Sequence, residues 1–134
     1  MKTYVFDASA LFAFLRSKPG ALKVNELLKE VRRGRAKVLM SVVNYGEVYG
    51  RILRDLGPEH ALSAVYAVRP LPIELLDVTS ERALKAADVK AKYKLYYVDS
   101  FAAALAIEQK ATLVTSDSDF RKLGRVFPVV WLKN

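Results

Sequence analysis

Cysteine is absent from the 134 residues, and that absence removes disulfides, zinc-thiolate centres, iron-sulfur clusters and thiol nucleophiles. Histidine is nearly absent too. His60 stands alone in Gly57-Pro58-Glu59-His60, at an expected helix start where exposed polar residues are ordinary. A Ser-His-Asp triad would have to be built on that one imidazole, and no Gly-x-Ser-x-Gly elbow accompanies it. No apolar run reaches the roughly 18 residues of a membrane span, and Met1 to Leu15 lacks the ordered basic, apolar and cleavage regions of a signal peptide. The expectation is a cytoplasmic protein that does not enter a membrane. Carboxamides are scarce, with Asn25, Asn44, Gln109 and Asn134 set against 22 basic and 14 acidic side chains, a composition met in heat-adapted proteins.

What is present is basic charge. The formal net charge of +8 points to a polyanionic partner such as nucleic acid. The length fits one domain over residues 1–134, with no internal repeat, linker or low-complexity segment.

Thr3 to Phe6 is rich in β-branched and aromatic residues and predicts a strand; Ala8 to Leu15 then predicts a helix, with Asp7 at the junction. After the Lys18-Pro19-Gly20 turn, Val24, Leu27, Leu28 and Val31 fall at helical spacing in Ala21 to Arg33. Lys37 to Ser41 reads as a second strand, Val42 to Leu56 as an amphipathic helix ended by Gly57-Pro58, and Glu59 to Val68 as another. Ile73 to Val78 reads as a third strand, followed by a helix capped by Thr79 or Ser80 and running to about Lys94. Then come the Ala-rich helix Val98 to Lys110, a strand at Ala111 to Thr115, a short helix at Ser118 to Leu123 and a last strand at Val126 to Leu132. This alternation predicts the α/β class, a three-layer α/β/α sandwich around a central parallel five-stranded sheet. Right-handed crossovers bring all strand C-terminal ends to one edge, so Asp7 and Asp117, far apart in sequence, should share it.

Five acids could gather there: Asp7, Glu47, Asp99, Asp117 and Asp119. Each also has an ordinary reading. Asp7, Asp99 and Asp119 suit helix N-termini, Asp117 suits a turn, and Glu47 suits an exposed helix face. Together, however, they would repel one another and raise each other's pKa unless a cation lay among them. Oxygen ligands select a hard ion, Mg²⁺ or Mn²⁺. Ser9, Thr115 and Ser116 are placed either to orient the carboxylates or to serve as turn residues. If all five acids lie in one cleft, 22 basic side chains face only 9 acidic ones elsewhere.

Four segments carry a resemblance: Tyr-Val-Phe-Asp-Ala-Ser-Ala-Leu from Tyr4, Ser-Val-Val-Asn-Tyr-Gly-Glu-Val from Ser41, Tyr-Val-Asp-Ser-Phe-Ala-Ala-Ala-Leu-Ala from Tyr97 and Leu-Val-Thr-Ser-Asp-Ser-Asp-Phe from Leu113. In this order and spacing they resemble the PIN domain, and more narrowly the VapC-type toxins of toxin-antitoxin pairs. The resemblance spans the whole chain. It implies a metal-dependent endoribonuclease in which Asp7, Glu47, Asp99 and Asp117 hold Mg²⁺ or Mn²⁺, with Asp119 a more variable helper. It further implies an RNA substrate, a cognate antitoxin and a homodimer, for which Tyr45, Tyr49, Ile52 and Leu53 offer either a face or core packing. Arg16, Arg51, Arg121 and Lys122 are the basic residues nearest the expected cleft in sequence, and so candidate RNA contacts. The basic run Arg32 to Lys37 reads as a solvated helix end or a further contact.

Two other readings remain. One is a PIN protein that processes RNA without toxin biology. The other is a non-catalytic receiver-like signalling module, whose phosphorylated Asp, Thr and Lys would be mimicked by Asp77, Thr115 and Lys133, but which leaves Glu47 and Asp99 without a role.

Overall fold

A computed structural model describes all residues, 1–134. The chain runs β1 (Lys2–Phe6), α1 (Ala8–Leu15), α2 (Ala21–Arg32), β2 (Ala36–Ser41), α3 (Val42–Leu56), α4 (Pro58–Val68), β3 (Ile73–Leu76), α5 (Ser80–Tyr93), α6 (Tyr97–Gln109), β4 (Thr112–Thr115), a 3-10 helix (Ser118–Leu123) and β5 (Val129–Trp131). All four strand pairings are parallel, in the order β3-β2-β1-β4-β5. The expected three-layer α/β/α sandwich is the observed one.

Strand alternation builds the layers. Tyr4 and Phe6 of β1, Val38 and Met40 of β2 and Val114 of β4 join one core with α1 to α4, whereas Val5, Leu39 and Leu113 join a second core with α6. Because both faces are covered, the strands read as continuous apolar runs. The helices start where the sequence supplies caps: Asp7 accepts from Ala10 N–H, Ser41 from Val43 N–H and Thr79 from Arg82 N–H. Gly57, with φ of 92°, makes the sharp turn between α3 and α4, and Pro58 opens α4.

Three strands are shorter than expected, β4 by the single residue Ala111 and β3 and β5 by more. β3 stops at Leu76, paired with Ser41, because β2 turns there into α3 and leaves Asp77 and Val78 nothing to pair with. β5 holds only Val129–Trp131, since its one neighbour β4 is itself four residues long and Phe127 turns into the core. No helix is long and apolar enough to cross a membrane.

The order places β1 and β4 side by side, with β2 and β3 on one flank and β5 on the other. β1 leads to β2 on one side, the chain then returns from β3 to lay β4 on the other side of β1, and such a switch point opens a crevice at the strand C-terminal ends. Asp7 and Asp117 follow β1 and β4 there.

Candidate active site

Asp7 is the anchor. It is 3% exposed, and both its oxygens are engaged. Oδ1 accepts from Ser9 Oγ at 2.6 Å and from Ala10 N–H at 3.0 Å, and Oδ2 accepts from Thr115 Oγ1 at 2.5 Å. The hydroxyl partners are themselves held, since Ser9 Oγ accepts from Ser116 N–H and Thr115 Oγ1 from Asp117 N–H, each at 2.9 Å. Each hydroxyl has one proton, and here both protons point to Asp7, which is the pattern an ionised carboxylate requires. Asp7 is therefore both the cap of α1 and a buried acid tied to the turn after β4.

A second group of acids lies just outside it. One carboxylate oxygen from each of Asp99, Asp117 and Asp119 lies within 4.8 Å of the others. Asp99 comes from the first turn of α6, Asp117 caps the 3-10 helix by accepting from Asp119 N–H at 2.9 Å, and Asp119 stands in that helix's first turn. Glu47, half-buried on α3, feels the charge of Asp117. This trio joins Asp119, expected as the more variable of the metal-holding acids, to Asp99 and Asp117, while Asp7 is occupied by hydroxyls.

Electrostatics show these charges to be uncompensated. Burial, then Asp117, Glu47, Asp7 and Asp119 in that order, push Asp99 up to about 7. Asp7 is pushed up to about 6, chiefly by burial, against the opposing pull of its three hydrogen bonds and with a smaller push from Asp117. Glu47 is raised by burial, with Arg51 pulling the other way. None of the five acids has a salt bridge to a basic side chain. A grouping of carboxylates from α3, α6 and the segment after β4, with no basic partner, can hold a metal ion. The fit is to a hard one, for the donors are oxygens only and a Mg²⁺ or Ca²⁺ shell places opposed ligands about 4 to 5 Å apart.

The remaining expected residues divide. Ser9 and Thr115 act through their hydroxyls, while Ser116 contributes its backbone, donating to Ser9 and accepting from Asn134 at 3.4 Å. Arg16, at the end of α1, and Arg51, on α3, both lie over the Phe12 ring, at 4.7 and 4.5 Å. Arg121 covers Trp131 at 4.4 Å, and Lys122 Nζ donates to the Lys94 carbonyl at 3.1 Å. In the basic run, Arg33 and Arg35 are held by Glu30 at the end of α2. Of the four residues proposed on one α3 face, Ile52 is core and Tyr45 packs on it, whereas Tyr49 and Leu53 are exposed. Asp77, needed by the receiver-like reading, follows edge strand β3, three strand spacings or about 14 Å from β4, and so stands apart from Thr115.

Asn44 had no assigned role in the sequence and has one here. It is 1% exposed, its Nδ2 donates to the Val98 carbonyl beside Asp99 at 3.0 Å, and its Oδ1 is buried without a partner. The available signal was its spacing: it lies three residues before Glu47 on the inward side of α3.

The PIN domain family model matches residues 4–126. A search of curated proteins by sequence finds no match. Among solved structures, VapBC2 from Rickettsia felis, bound to a DNA fragment from its promoter, superposes with a TM-score of 0.76 at 15% identity, covering 98% of this chain and 99% of that one. VapC20 of Mycobacterium tuberculosis, described as a toxin cleaving the sarcin-ricin loop, gives 0.74 at 18% identity, covering 90% and 95%. DNA-bound VapBC from Salmonella typhimurium gives 0.74 at 17% identity, covering 97% and 98%. At these identities the likeness is one of fold.

Proposed function

The chain belongs to the PIN domain family, and from that premise we propose that it is a Mg²⁺- or Mn²⁺-dependent endoribonuclease, the toxin of a VapBC-type pair. The observation that carries this reading is the Asp99, Asp117 and Asp119 trio, its oxygens within 4.8 Å, unpaired, at the switch point of the sheet.

Asp99, Asp117 and Asp119 would hold the ion, with Glu47 and Asp7 completing the negative field. When bound, such an ion supplies Lewis acidity toward water and toward phosphate oxygens. Asp7, fixed by Ser9, Thr115 and Ala10, sets the position of Asp117 through the shared Thr115 hydroxyl. Glu47, raised in pKa and half-buried, orients the attacking water. In-line attack forms a bond from the water oxygen to phosphorus and breaks the bond to the 3′-oxygen, leaving 5′-phosphate and 3′-hydroxyl ends. Arg16, Arg51, Arg121 and Lys122 are exposed and available to the RNA backbone.

The VapBC neighbours support a cognate antitoxin as partner. Exposed apolar side chains on α3 and α4, including Tyr49, Leu53, Leu62 and Tyr66, support a homodimer face. A cytoplasmic location follows from that role.

The test is cleavage of labelled structured RNAs with Mg²⁺ or Mn²⁺, against Asp99→Asn and a chelator. Discrete cuts with 5′-phosphate ends that vanish in both controls are expected. Equal cleavage by the variant, or none by the wild type, would sink the reading. Growth arrest on expression, relieved by a neighbouring gene's product, separates a toxin from an RNA-processing PIN protein.

A further inference from the structure

Beside the acidic trio lies a basic, aromatic groove of about 610 Å³, and Asp119 belongs to both. Its walls are Lys90 and Lys94 at the end of α5, Lys122 of the 3-10 helix, and Tyr96 and Tyr97 at the start of α6. Lys122 Nζ reaches the Lys94 carbonyl at 3.1 Å and so ties the two walls together. None of the three lysines has a salt bridge. A helix C-terminus accounts for Lys90 and Lys94 through the dipole, but Lys122 adds a third ammonium from a separate element, against mutual repulsion. Three unpaired cations next to an unpaired acid cluster are what a substrate both anionic and metal-bound would need.

Neither capping nor packing accounts for Tyr96. Tyr96 occupies the N-cap of α6, where Ser, Thr or Asp would cap, yet it forms no side-chain cap and is 75% exposed. Tyr97 is half exposed, and its ring is steadied edge-on by Phe101 at 4.9 Å and 76°. One ring is thus free to adapt while the other is held in place.

We propose that this groove is a subsite for single-stranded RNA, in which an unpaired base stacks on the tyrosines while the lysines hold the flanking phosphates. The proposal rests on the nuclease reading for its orientation: a strand whose scissile phosphate lies at Asp99, Asp117 and Asp119 continues past Asp119 into the groove. Stacking on a side chain requires a base splayed out of its helix, so the groove selects loops, bulges and free ends over duplex. Its size suits one nucleotide with its phosphates. The contrasting occupant, an acidic peptide, would use the lysines but leave the tyrosines idle.

The experiment is binding without cleavage. Fluorescence anisotropy in EDTA measures the affinity of a labelled, unstructured RNA of about ten nucleotides, a length in the range of single-strand sites. Tyr96→Ala should weaken binding about tenfold, while Tyr96→Phe, which keeps the ring, should bind like the wild type. Lys94→Gln should lower the slope of log affinity against log salt by about 0.7, whereas Lys92→Gln, outside the groove, should leave it unchanged. A duplex of the same sequence should bind without sensitivity to Tyr96→Ala. Circular dichroism of each variant confirms that folding is intact, as expected for an exposed side chain. Wild-type affinity in Tyr96→Ala would overturn the proposal, as would equal sensitivity for duplex, or polyglutamate binding that depends on Lys94 while RNA binding does not. These readouts need no cleavage, so groove-dependent binding would uphold the subsite even if the nuclease reading failed. Cleavage with unaltered binding in Tyr96→Ala would overturn the subsite alone.

Discussion

Thr115 Oγ1 donates to Asp7 Oδ2 at 2.5 Å across 108 positions of sequence, and the same hydroxyl accepts from Asp117 N–H at 2.9 Å. One oxygen therefore joins the buried acid after β1 to the outer acid after β4.

Thr115→Val keeps the shape and removes both bonds. Asp7 would lose one of its three donors inside the protein, and the Asp117 N–H would lose its acceptor. The expected cost is about 1 to 3 kcal/mol of stability, with Mn²⁺ affinity falling about 10- to 100-fold because the carboxylates are no longer held in register. Thermal melting and calorimetric titration with Mn²⁺ check the two separately. Unaltered metal affinity would mean that the hydroxyl serves only the fold.

The raised carboxylates give the metal-free protein an inverted pH dependence. Asp7 near 6 and Asp99 near 7 both lie above their ordinary value of 3.8, so between those limits the folded chain keeps protons that the unfolded chain has released. Stability from these groups is full below about pH 4 and is lost as pH rises through 6 and then 7. Glu108, held below its ordinary value by Arg82, works the other way, but only at pH below its ordinary value of 4.5. In EDTA, the melting temperature should fall by several degrees from pH 5 to pH 8, and millimolar Mg²⁺ or Mn²⁺ should flatten the profile. A metal-free melting temperature that rises over this range would contradict the electrostatic account.

The sequence made the strand-to-acid junctions legible because they depend on local chemistry. Thr3 to Phe6 has the β-branched and aromatic content of a strand, Asp7 and Thr79 suit helix starts, and the α/β alternation brings Asp7 and Asp117 to one edge. It could not say which acids would crowd closest. That depends on how far α3 stands from α6 and on Thr115 and Ser9 drawing Asp7 inward, both tertiary facts. Strands β3 and β5 end short of their apolar runs for a similar reason: Val78 and Val126 have strand propensity, but their neighbours offer no ladder. Lys94 and Lys122 carry no joint signal in sequence, since they meet only when the 3-10 helix folds back against the end of α5.

Asn44 illustrates a residue whose stability and function pull apart. Its Nδ2 bond to the Val98 carbonyl holds α3 against the first turn of α6, which fixes Glu47 relative to Asp99. Its buried Oδ1 has no partner, a state that costs about 1 to 3 kcal/mol. Asn44→Leu removes the orphan acceptor at similar volume, and the Val98 carbonyl keeps its helical bond, since a helix N-terminus leaves N–H groups rather than carbonyls unpaired. The expected result is unchanged or higher stability with cleavage reduced about tenfold. A fall in stability of more than about 2 kcal/mol would show instead that the amide chiefly supports packing.

Asp99→Asn carries the same opposition to its limit. Asp99 is the acid that the others disfavour most openly, facing Asp117, Glu47, Asp7 and Asp119 with no salt bridge of its own. An amide at this position keeps the shape, removes one charge from the cluster and relieves its neighbours. In EDTA at pH 8 the variant should therefore melt above the wild type, by an amount that shrinks toward pH 5, where the wild-type carboxyl is already protonated. With Mn²⁺ added the order should reverse, because the wild type gains binding energy that the variant has lost. Cleavage should disappear throughout. Stability of the variant at or below wild type in EDTA at pH 8 would mean that repulsion among these acids is already relieved by the protein, and the argument for a resident cation would lose its physical basis.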